Sequence, residues 1–148
     1  PFPWKATEGI GFEEACQMTM KALEVFKPSG DKKKKVYFHC TVGEDRTGYL
    51  AGIYRVTKGD NPHEVFREEM CANGYAGGNP NKPFKVVKEV RNFATPLYFK
   101  MVYLIREAKR EGRKINSQLC TAKPKDYGRF QKLREDILPT LKCQPARL

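Results

Sequence analysis

The sequence predicts an α/β fold, and three observations carry that expectation. Val36-Tyr37-Phe38-His39 is short, aromatic and β-branched, which reads as a buried strand. That strand runs through a brief loop straight into a helical pattern. Elsewhere about five stretches repeat apolar residues at helical spacing. One strand cannot make a sheet, because an isolated buried strand leaves its backbone donors and acceptors unpaired. The partner strands are therefore expected on polypeptide outside residues 1–148, on a second chain or an N-terminal segment. The chain then reads as a single, N-terminally incomplete domain.

The elements follow in order. Phe12, Ala15, Cys16, Thr19, Leu23 and Phe26 recur at helical spacing, with Pro28-Ser29-Gly30 as the stop. Lys32 to Lys35 reads as a solvated turn. After the strand, a helix is expected from Arg46 to Lys58, with Leu50, Ile53 and Tyr54 inward and Gly59 at its end. Asn61-Pro62 is a cap followed by a first-turn proline, leading to Val65, Phe66 and Met70 and stopping near Gly74. Residues 74–83, GYAGGNPNKP, form the clearest loop. A helical stretch near 84–93 follows, and Thr95-Pro96 opens another that carries Leu97, Met101, Leu104, Ile105 and Ala108 to Gly112. The last helix, 126–142, holds Phe130, Leu133, Ile137 and Leu141, with Pro139 bending or ending it.

Composition narrows the function classes. Lys and Arg number 28 against 17 Asp and Glu, a formal charge of +11 that favours anionic partners. No apolar run approaches the roughly 20 residues needed to span a bilayer, and the opening PFPWKATEG lacks the features of a signal peptide. Five widely spread cysteines without a CxxC pair argue against a disulfide framework and a structural zinc site. They point to a reducing compartment, with the cytoplasm expected. His39 and His63 are too far apart and too poorly accompanied to suggest a metal site. No cofactor is implied, and no aromatic-basic interleaving or DNA-reading motif marks a nucleic-acid binder.

The chemistry concentrates in FHCTVGEDRTGYL, Phe38 to Leu50. A loop from Cys40 to Arg46 that enters a helix converges its backbone N–H groups, and those of the first helical turn, on one point. The helix dipole adds positive potential there, so the site suits a dianion such as phosphate. Gly43 permits a backbone conformation that a Cβ would resist. Arg46 can hold two phosphate oxygens with its planar fork. Cys40, at the floor of this cradle, would have a lowered pKa and act as a nucleophile aimed at phosphorus. The structural alternatives are a buried thiol for Cys40 and an ion pair with Glu44 or Asp45 for Arg46.

At these residues the chain resembles a known family. His39-Cys40-Thr41-Val42-Gly43-Glu44-Asp45-Arg46-Thr47-Gly48 is similar to the active-site loop of the cysteine-dependent phosphatases, the tyrosine and dual-specificity superfamily, and closest to its bacterial HCxxGxDRTG branch. The resemblance implies a three-layer fold, a central sheet flanked by helices, of which this chain would hold the loop and the helical half. It implies that Cys40 attacks phosphorus, that Thr41 to Arg46 bind the phosphate, and that a phosphocysteine forms and is hydrolysed without metal. Thr47 would help the sulfur leave, His39 and Gly48 would support the loop, and Asp45 would be the general acid. Upstream, Pro3-Trp4-Lys5-Ala6 stands where the family carries an acid-bearing mobile loop, but Ala6 replaces its Asp, leaving Glu8 as the alternative donor.

The implied substrate is a phosphorylated protein, with phosphotyrosine leading and a phosphoinositide as runner-up. Glu44 counts against the latter, since it would face a polyphosphate with like charge. Ala6 also keeps open a pseudophosphatase that binds phosphorylated partners without turnover. Asn79 or Asn81 could position the second-step water, or simply belong to a surface connection. Lys100, Arg106, Lys109, Arg110 and Arg113 form either a solvated face or a substrate-docking patch.

Overall fold

A computed structural model describes residues 10–27 and 35–144. Glu8, Trp4, Ala6 and the Pro28-Ser29-Gly30 stop lie outside the described residues. Among the described residues five α-helices carry the fold: α1 Phe12–Val25, α2 Asp45–Thr57, α3 Pro62–Glu64, α4 Phe84–Arg110 and α5 Tyr127–Ile137. α3 continues through a π segment, Val65–Met70, into a 3-10 turn, Cys71–Asn73. None of the described helices is long and apolar enough to cross a membrane.

The α/β expectation is overturned, because among the described residues there is no strand and no sheet. The physical reason is visible at Lys35–Cys40. The segment is irregular, yet it alternates as a strand would: Val36, Phe38 and Cys40 are partly buried while Lys35, Tyr37 and His39 are exposed. Tyr37 is 88% exposed, and Phe38 packs on Phe26, the C-cap of α1, with ring centroids 5.0 Å apart. The pattern of a half-buried strand is present, but no described neighbour offers the backbone groups that would make it one.

The helices form for local reasons and stay for tertiary ones. Asn61 accepts backbone N–H bonds from His63 and Glu64, a side-chain cap that starts α3 ahead of Pro62. Asp126 caps α5 by accepting from the Arg129 N–H. The expected break at Thr95-Pro96 does not occur; Pro96 lies inside a single 27-residue helix. An interior proline costs about 3 kcal/mol. Just beyond it Leu97, Tyr98, Met101, Leu104 and Ile105 are all buried, each worth about 1.5–3 kcal/mol. Burial on both sides of the proline wins.

The core lies where α2 and α4 cross the π segment. Tyr49, Ile53, Met70, Tyr75, Tyr98, Met101 and Ile105 are almost fully buried there. The buried hydroxyls are paired: Tyr49 with Thr19 of α1 at 2.9 Å, and Tyr75 with Thr95 of α4 at 3.0 Å. Phe130 of α5 closes the far side against Phe99 and Tyr103.

The cysteine reading is also corrected. Cys16 bridges to Cys120 and Cys71 to Cys143, leaving Cys40 as the one free thiol. The pairs are 104 and 72 residues apart in sequence, so no local spacing could reveal them. Disulfides persist in oxidising compartments, and the expectation of a reducing one loses its basis.

Candidate functional site

The candidate site is built from the loop between Lys35–Cys40 and α2. Gly43 sits at φ +83°, a left-handed conformation that turns its N–H back onto the Cys40 Sγ at 3.2 Å. Thr47, in the first turn of α2, accepts the Cys40 backbone N–H on its Oγ1 at 3.0 Å and closes the loop on itself. Partial burial of the Cys40 thiol pushes its pKa up. The Thr47 hydroxyl and the backbone N–H groups of Thr47, Gly43 and Val42 oppose this by donating to the sulfur, and the balance brings it down to about 7. About half of the thiol is then ionised at neutral pH.

Arg46 lies across the loop, its guanidinium donating to the Thr41 Oγ1 at 3.0 Å. The alternative of an ion pair with Glu44 or Asp45 is not what the structure has, because both acids turn the other way. Lys82 reaches Glu44 Oε2 at 2.9 Å and Asp45 Oδ1 at 2.6 Å. Asn79 donates to Glu44 Oε1 at 2.8 Å, and the Ala76 N–H donates to Asp45 Oδ1 at 2.7 Å. The guanidinium fork is left for an oxyanion. Beside the loop opens a groove of about 750 Å³ lined by Phe26, Tyr37, Phe38, His39, Cys40 and Arg46 among others. Its aromatic wall suits a flat apolar group next to the cysteine.

The structure thus brings Cys40, Thr41, Val42, Gly43, Arg46, Thr47 and Gly48 together, with Gly48 buried against Tyr75 beneath the loop. His39 is exposed, its Nδ1 3.1 Å from the Cys40 carbonyl oxygen and its ring near Tyr37. Glu44 and Asp45 keep their places in the chain of the loop while their carboxylates face residues 74–82. Asn79, weighed for positioning water, is committed to Glu44 and to the Asn81 N–H. Lys82 was not foreseen. The one sequence signal for it is a lysine in a Gly/Asn-rich loop complementary to the Glu44-Asp45 pair, and 37 residues separate it from Asp45.

Asp45 accepts both of its contacts on Oδ1, which ties the start of α2 to residues 74–82. Asp45→Asn is therefore expected to slow esters of good and poor leaving groups by the same factor. A loss confined to the poor leaving group, on the order of 10²–10⁴, would restore Asp45 as the general acid. No family model, curated protein or solved structure matches this chain, so its own residues carry the functional argument.

Proposed function

We propose that this chain is a phosphomonoester hydrolase working through a phosphocysteine intermediate, with phosphotyrosine in a protein as the leading substrate. The observation that carries the reading is the free thiol of Cys40, receiving a hydrogen bond from the Gly43 N–H beside an Arg46 that no acid among the described residues occupies. The all-helical described fold lends the reading no support; the loop alone does. In the first step the Cys40 thiolate attacks phosphorus and forms the S–P bond while the P–O ester bond breaks, and the aryloxide that leaves takes its proton from solvent water. Arg46 and the loop N–H groups hold the three phosphoryl oxygens as charge builds on them. In the second step water attacks phosphorus and gives its proton to solvent, the S–P bond breaks, inorganic phosphate is released, and the Thr47 hydroxyl stabilises the departing thiolate. The aromatic groove beside Cys40 favours an aryl ester. With its carboxylate on Asn79 and Lys82, Glu44 no longer weighs against a phosphoinositide.

A second reading, binding of phosphorylated partners without turnover, is favoured by one observation: Asp45 is engaged by Lys82 and Ala76. Hydrolysis of p-nitrophenyl phosphate separates the two. The expected kcat/KM rises with pH through about 7 as Cys40 loses its proton, since only the thiolate attacks. Vanadate binding without turnover would favour the second reading, and neither binding nor turnover would end both.

A further inference from the structure

We infer that Lys82 is a positioning residue for the 40–47 loop, drawing Glu44 and Asp45 backwards so that the face presented to an anion keeps only N–H donors, Arg46 and the Cys40 sulfur. The inference rests on the reading of that loop as an anion site. An anion-binding loop with two consecutive acids is self-defeating unless something removes their charge from its mouth. Lys82 does so from behind. Its ammonium donates to Asp45 Oδ1 at 2.6 Å and to the Gly74 carbonyl at 2.7 Å, and it forms an ion pair with Glu44 Oε2 at 2.9 Å. The side chain is only 6% exposed, so this is a packed clamp and not a surface ion pair.

The surroundings are shaped for it. Gly74 sits at φ +90°, and a Cβ there would lie 2.9 Å from the Glu44 carboxyl carbon. Ala76 also adopts a positive φ, 48°, and its N–H donates to Asp45. Asn79 fills the remaining Glu44 oxygen. The clamp therefore ties the start of α2 to residues 74–82 through one cation. Among the described residues the charged and titratable groups around Cys40 are Tyr37, His39 and Arg46 on its own segment and Glu44 and Asp45 behind it, while α1 and its C-cap line the groove with Ala22, Val25 and Phe26. Removing the cation would leave two acids without their counter-charge beside the loop and release the turn that aims the Gly43 N–H at the sulfur. Both effects disfavour the thiolate.

The test reads the loop through the pH profile of Cys40 alkylation by iodoacetamide in the full chain with both disulfides intact, where Cys40 is the free thiol. In Lys82→Met the midpoint is expected to move up from about 7 by about one pH unit, and vanadate affinity to fall roughly ten-fold. Lys82→Arg should recover much of both, since it keeps the charge. Glu44→Gln/Lys82→Met serves if Lys82→Met does not fold, and should show a smaller upward shift, since Asp45 alone is then left without its counter-charge. A folded Lys82→Met, or the folded double variant, with the original midpoint and vanadate affinity would overturn the inference. If the unmodified protein neither binds vanadate nor hydrolyses esters, yet Lys82→Met still shifts the alkylation midpoint, the positioning role stands and the hydrolase reading falls.

Discussion

Cys40→Ser is expected to lower p-nitrophenyl phosphate turnover by at least about 10⁴-fold while vanadate or phosphate still binds. A serine hydroxyl keeps a far higher pKa than the thiol, so the same N–H groups from Gly43 and Val42 that suffice for a sulfur anion cannot produce an alkoxide. The donors themselves belong to the backbone and to Arg46, and the substitution leaves them in place. Steady-state kinetics with calorimetric titration of phosphate separates the two quantities. Retained turnover in the variant would remove the covalent mechanism. A joint loss of turnover and binding would mean that the sulfur organises the loop, not just the reaction.

Removing the Cys16–Cys120 bridge, as Cys16→Ala/Cys120→Ala, is expected to cost about 4–5 kcal/mol of unfolding free energy. The bridge spans 104 residues, and a cross-link removes more disorder from the unfolded chain the longer the loop. Against a total of about 5–15 kcal/mol for a domain, that is a large fraction. Both cysteines are buried, Cys16 at the face where α1 meets the 117–120 turn, so reduction alone would also loosen the outer wall of the core. Urea unfolding of the variant against the oxidised parent measures the difference. A loss below about 1 kcal/mol would show that the bridge does not constrain the unfolded ensemble.

Much of the helical frame and the loop was legible because its signals are local. The Asn61-Pro62 cap, the Gly59 and Gly74 stops and the periodic apolar faces of α1, α2 and α5 are set by neighbours within a few residues. The same holds for the local part of Cys40 to Thr47, where Gly43 and the first turn of α2 bring N–H groups onto the sulfur. The Thr95-Pro96 break failed for a different reason. A proline penalty is local, whereas the burial of Leu97 to Ile105 that outweighs it is supplied by other elements, α1, α2 and α5 among them.

What the chain could not announce in one dimension are relations between distant residues. Val36 to His39 has the alternation of a strand, but a strand is a relation to a neighbour, and the described residues pack Phe38 on Phe26 instead. Four cysteines read as unrelated until folding brings Cys16 to Cys120 and Cys71 to Cys143. Glu44 and Asp45 carry in sequence only the sign of their charge, which looks wrong for an anion loop. Lys82, Asn79 and Ala76 give those charges a direction, because an electrostatic effect depends on distance and orientation, and neither exists until the 74–82 loop folds against the start of α2.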